Sequence, residues 1–228
     1  MPSKKKKANS IQEKNNVQSR ALFPALVSLT LFFWILYRYL FSFSVLFDET
    51  FGKAVFFGLP VMIFINSSRN KKIIKAFGRH QLFRGLLRGL AYGGIIGFVG
   101  LTFISIKNQS TLISAPVFLA DNFWSELFLA ILTAFWESIF FFGFIQSVLS
   151  EFWLTKNRGK IIFFSSLIFL LFHLPNILLR FSGLDVSFMI FLLYLFGFGQ
   201  AILFEREENI YPLIITHTVW GMILLIHF

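Results

Sequence analysis

Residues 132–149 read LTAFWESIFFFGFIQSVL, a run in which Glu137 is the one charged position. The apolar character extends to about 125–150, longer than the roughly 20 residues that carry a helix across the hydrocarbon core of a bilayer. Similar runs lie at about 21–47, 51–66, 89–106, 160–180, 186–204 and 210–228, each bounded by charge or turn residues. The pattern predicts an all-α fold, a polytopic transmembrane helical bundle of about seven spans (six to eight). Composition agrees. Hydrophobic residues are 56% of the 228, charged residues 14%, and the mean hydropathy is +0.72, whereas a soluble domain carries about a quarter charged residues.

Working outward, residues 1–20 (MPSKKKKANSIQEKNNVQSR) are polar and basic with no apolar period. They predict a disordered cytoplasmic tail near anionic headgroups, followed by one transmembrane helical domain over 21–228. The apolar run from Ala21 to about Phe47 lacks a small-residue cleavage pattern, so it reads as a retained first crossing. With the N-terminus in the cytoplasm, 17 of the 21 Lys and Arg fall inside: six in the tail, seven from Arg69 to Arg88, three from Lys156 to Lys160, and Arg206. Arg38, Lys53, Lys107 and Arg180 fall outside or near outer span ends, a strong positive-inside bias. The net charge of +10 is thereby a matter of topology, and no nucleic-acid partner is expected. The expected location is a cell membrane, bacterial plasma membrane by type. With no Cys in the chain, disulfides, thiolate metal sites and cysteine nucleophiles are excluded.

An ionisable side chain deep in a span is costly and marks a candidate functional site. Three qualify: Glu137, His173 in SSLIFLLFHLPN (165–176), and His217 in IYPLIITHTVWGMI (210–223). Counted from span ends near 150, 160 and 209, they sit roughly 20, 20 and 12 Å deep at 1.5 Å per residue, so convergence on one polar cavity is expected. His80 and His227 lie near polar ends and are assigned no role. Gly93 and Gly97 have the GxxxG spacing of close helix packing, and Gly94 and Gly100 lie in the same run; none of them forms a nucleotide loop. No HExxH, P-loop or GxSxG motif occurs, and no cofactor is expected.

At these segments, over about 120–225, the sequence resembles the CAAX-protease and bacteriocin-processing family, glutamic intramembrane proteases defined by EExxxR (within EExxFRG), FxxxH, and HxxxN or HxxxD motifs. Here the first reads Glu137, Ser138, Ile139, Phe140, Phe141, Phe142, Gly143; the second runs from Phe169 to His173; the third begins at His217 and reaches Gly221. Ser138, Phe142 and Gly221 replace the second Glu, the Arg, and the final Asn or Asp. Positions 138 and 142 are one helical turn apart, where a Glu and an Arg would pair; loss of both partners together is the less costly divergence. It leaves Glu137 with no adjacent Arg. The final Asn or Asp of the resembling enzymes positions water or polarises the substrate carbonyl. Asn176, one turn after His173, is a weak substitute for Gly221 and reads equally as a cap at an HLPN break.

The resemblance implies an intramembrane endopeptidase in which Glu137 and His173 activate a water and His217 stabilises the oxyanion, acting on a membrane-embedded or membrane-anchored peptide near the cytoplasmic side. Three other readings stay open from the residues: a catalytically inactive scaffold or bacteriocin-immunity-type protein, a zinc site built from two His and one Glu, and a proton-relay transporter.

Overall fold

In the computed structural model, residues 4–68, 71–108, 122–153 and 157–227 are described. Residues 1–3 of the expected tail, Arg69, Lys156 and Phe228 lie outside them. Among the described residues, seven long helices form the bundle: α1 (Lys4–Leu40), α2 (Val45–Ser68), α3 (Leu82–Asn108), α4 (Phe123–Phe152), α5 (Arg158–Arg180), α6 (Leu184–Glu207) and α7 (Ile210–His227). Six are long and apolar enough to span a bilayer, and α7 contains a shorter apolar stretch, Ile210–Ile223. The protein is a polytopic helical membrane protein.

Two boundaries differ from the sequence expectation. The expected disordered tail is helical from Lys4, since extending an existing apolar helix adds a hydrogen bond per residue without a new nucleus. The expected first span, to about Phe47, stops instead at Leu40. Ser42 and Ser44 fall in the break, and Ser44 Oγ accepts from the Phe47 amide at 3.3 Å to start the next helix, in keeping with the tendency of serine to bond local backbone. Arg38 and Asp48 close the resulting hairpin with a 2.7 Å ion pair, and the Tyr37 hydroxyl donates to the same carboxylate. The second span accordingly begins at Val45, not near residue 51.

Helix α4 is apolar all round, and such a helix must be enclosed. Phe140, Phe141, Phe142 and Phe144 are all fully buried. Phe144 meets Phe23 of α1 and Phe64 of α2, Phe140 stacks on Phe57 of α2 at 5.1 Å, and Phe141 lies edge-on to Phe169 and Phe172 of α5. Lipid is as apolar as these rings, so close packing supplies the cohesion. From Ser138 to Gln146 the helix widens into π-helical turns, directly after Glu137.

Helices α3 and α7 meet along a glycine seam: added methyl groups at Gly89, Gly93, Gly97 and Gly100 would reach Ile215, Val219, Ile223 and Trp220. The GxxxG expectation thus holds for Gly93 and Gly97, while Gly94 faces open space. Gly183, at φ +57, turns the chain from α5 into α6.

Candidate active site

Glu137 ends the regular α-helical part of α4 and is 4% exposed. Its Oε2 lies 3.2 Å from His173 Nε2 of α5 and 3.3 Å from His217 Nε2 of α7. Three residues far apart in sequence therefore meet on one carboxylate oxygen. His173 Nδ1 faces the Phe169 carbonyl one turn earlier at 2.8 Å; a carbonyl only accepts, so Nδ1 carries hydrogen and Nε2 is turned to Glu137. Phe169 also packs on the His173 ring at 4.1 Å, holding it against the carboxylate. His217 packs edge-on to Phe196 at 4.9 Å, and its Nδ1 is buried without a partner.

The other oxygen of Glu137 is occupied by a group that sequence reasoning did not connect with it. Lys53 Nζ of α2 lies 2.7 Å from Glu137 Oε1 and 2.5 Å from Glu49 Oε2, one turn before it on the same helix. The Thr133 hydroxyl of α4 donates to Glu49 as well. Lys53 is 6% exposed. Sequence placed it near an outer span end; because α2 starts at Val45, it lies about 12 Å along the helix at 1.5 Å per residue. Glu137 has a cation after all, contributed by a different helix from the one that carries the family's Arg position.

At that position Phe142 stacks on Phe169 at 6.0 Å and 29°, and Ser138 is buried with its hydroxyl unpartnered. Where the resemblance expects a charged pair, these two positions carry an aromatic contact and a buried hydroxyl. Helix α5 continues through Pro175 to Arg180, so Asn176 caps no break. It instead lines the cavity with a buried, unpartnered Oδ1.

That cavity has a volume of about 560 Å3. Glu137, His173, His217 and Lys53 line its inner part, and Val45, Glu126 and Arg180 line the end nearest the bundle surface, where Val45 and Arg180 are exposed. Its mouth is at the end where α1 and α5 finish and α2 begins. This is the end opposite Lys71–Lys75, Arg158 and Arg206. Gly221 lies in the wall one turn after His217, with space for a side chain: a methyl there would come no nearer than 3.7 Å to Ala130. Among the described residues, no three His, Cys, Asp or Glu side chains are arranged to hold a metal ion; both imidazoles address one carboxylate oxygen, and an ammonium covers the other.

A buried carboxylate is thus contacted by two imidazoles and a lysine inside a bundle of apolar helices. Residues 119–223 match the family model described as type II CAAX prenyl endopeptidase Rce1-like, so this part of the chain is similar to a family of protease-type membrane enzymes. No curated protein and no solved structure matches the chain. Helices α1 to α3, with Lys53 among them, lie outside the family match.

Proposed function

We propose that the protein is an intramembrane endopeptidase with Glu137, His173 and His217 as its catalytic residues. The carrying observation is the shared Glu137 Oε2, with imidazole nitrogens at 3.2 and 3.3 Å on the inner wall of a cavity open to one end of the bundle. A water entering between Glu137 and His173 gives its proton to the carboxylate while its oxygen adds to the carbonyl carbon of the substrate peptide. The His217 Nε2–H donates to the oxyanion as charge develops there. The C–N bond then breaks, the proton passing from Glu137 to the leaving amine, and no covalent enzyme intermediate forms.

The substrate class is a membrane-embedded or membrane-anchored peptide segment that enters from the cavity mouth. Basic residues at Lys71–Lys75, Arg158 and Arg206 mark the opposite end of the bundle as cytoplasmic by the positive-inside rule, consistent with a multi-pass protein of a bacterial plasma membrane whose N-terminus is inside. Cleavage then takes place toward the outer leaflet. On this reading the outer leaflet takes the place of the cytoplasmic side expected from the sequence.

Comparative proteomics of membrane peptides from cells expressing wild type, Glu137→Gln and His173→Ala tests the reading. The expected result is a set of membrane-anchored peptides processed only by wild type. Equal processing by either variant would overturn the assignment. Gly221, which leaves the third motif without its Asn or Asp, favours a second reading: a non-proteolytic scaffold of the same fold. A scaffold would keep its cellular phenotype in the Glu137→Gln variant.

A further inference from the structure

The cavity contains one cationic side chain in contact with Glu137 that the family motifs do not include. Lys53 is held from both sides. Its own helix supplies Glu49 at 2.5 Å, and α4 supplies Glu137 at 2.7 Å. An ammonium has three N–H donors, so two are committed and one is left for a molecule in the cavity. Around Lys53 the backbone of α2 is π-helical on both sides, Asp48–Gly52 and Ala54–Gly58, a local widening often found at functional sites.

The same region is fixed to α4 by packing. Phe57 stacks on Phe140, and a methyl at Gly58 would lie 2.7 Å from the Trp136 ring. Such contacts suit a group that must hold position within tenths of an ångström. Across the cavity, α7 presents no polar side chain one turn after His217, because residue 221 is glycine.

Resting on the endopeptidase reading, we propose that Lys53 is a further catalytic residue: its free N–H donates to the substrate carbonyl oxygen and to the oxyanion formed from it, the task that no side chain at position 221 performs. The proton balance of the reaction is unchanged, since Lys53 stays an ammonium throughout and Glu137 alone carries the transferred proton. A donor aimed at developing negative charge in a water-poor site acts mainly on the transition state.

The test uses the full-length protein in proteoliposomes with quenched-fluorescent membrane-anchored peptides built on the sequences processed by wild type in cells. Lys53→Gln keeps a neutral donor of similar length; kcat is expected to fall about 10²–10³-fold with KM within a few-fold. Adding Gly221→Asn, which puts an amide on the facing wall, is expected to restore at least tenfold of that loss. An ion pair that merely stabilises the fold would give no such rescue. Wild-type kcat in Lys53→Gln, or a folded Lys53→Gln that Gly221→Asn does not improve, would overturn the proposal while leaving the endopeptidase reading in place. Wild-type cleavage by Glu137→Gln, run alongside, would overturn that reading itself. Melting temperature in detergent reports folding. If Lys53→Gln is unfolded, the comparison moves to the Glu49→Gln/Lys53→Gln pair, which leaves fewer stranded charges.

Discussion

The two halves of this bundle contribute to one site by different routes. Helices α4, α5 and α7, within residues 119–223 that match the family model, bring together Glu137, His173 and His217. Helix α2, outside that match, brings Lys53 and Glu49 with no motif at all, yet Lys53 is closer to Glu137 than either imidazole. The cation that the resemblance expects at position 142 has a counterpart in Lys53 on a neighbouring helix. A buried site thus constrains the local sum of charge more tightly than the residue that supplies it.

The largest effect tests the shared orientation of the two halves, and it is all or none. Because the chain has no Cys, single cysteines report topology cleanly. Leu184→Cys, at the cavity end and 89% exposed, is expected to react with a membrane-impermeant maleimide in intact cells. His80→Cys, in the basic turn at the other end, is expected to react only after permeabilisation. The reverse pattern would put the mouth in the cytoplasm and remove the outer-leaflet access described above.

Next in size is the bond between the halves. Lys53→Met leaves the buried carboxylate of Glu137 and the half-buried one of Glu49 without their ammonium, and removing one partner of a buried ion pair costs about 3–5 kcal/mol. Denaturant titration in detergent should show that loss, with part of it recovered when Glu137→Gln is added. Simple additivity of the two substitutions would mean that the Lys53 and Glu137 contact contributes nothing.

A smaller effect, about 1–3 kcal/mol for overpacking, is expected at the α3 and α7 seam. Gly89→Leu would drive a side chain into Ile215 and the Pro212 backbone, the nearest atom being 2.7 Å from the new Cβ. Gly94→Leu, with nothing within 4 Å, should leave the melting temperature close to wild type. Equal loss at both positions would show that the close approach at Gly89 does not set the cost, since Gly→Leu raises helix propensity at both.

How far the sequence speaks depends on whether a residue's meaning is local. The spans were legible because an apolar run of about 20 residues has one low-energy fate in a bilayer. Glu137, His173 and His217 were legible because a polar group inside such a run violates it. Lys53 violates nothing locally: it stands beside Asp48 and Glu49 in a segment that composition reads as a polar span end. Only the break at Leu40, set by Ser42, Ser44 and the ion pair between Arg38 and Asp48, shifts α2 so that Lys53 faces inward. The helicity of residues 4–20 was not legible for a related reason, since these turns borrow their stability from the apolar helix that follows.

The smallest effect concerns how α1, another helix outside the family match, steadies the motif half. Trp34 Nε1 donates to the Phe172 carbonyl at 2.9 Å, one residue before His173 and three before Pro175. In a continuous helix that carbonyl also accepts from the amide four residues on, so Trp34→Phe removes a second bond and leaves an aromatic ring in place. A loss of about 0.5–1.5 kcal/mol is expected, together with a fall in kcat of only a few-fold, because Phe169 still holds the His173 ring. A much larger kcat loss at unchanged stability would mean that α1 sets the angle of the His173 imidazole directly, and that the family-matching residues cannot build the site without it.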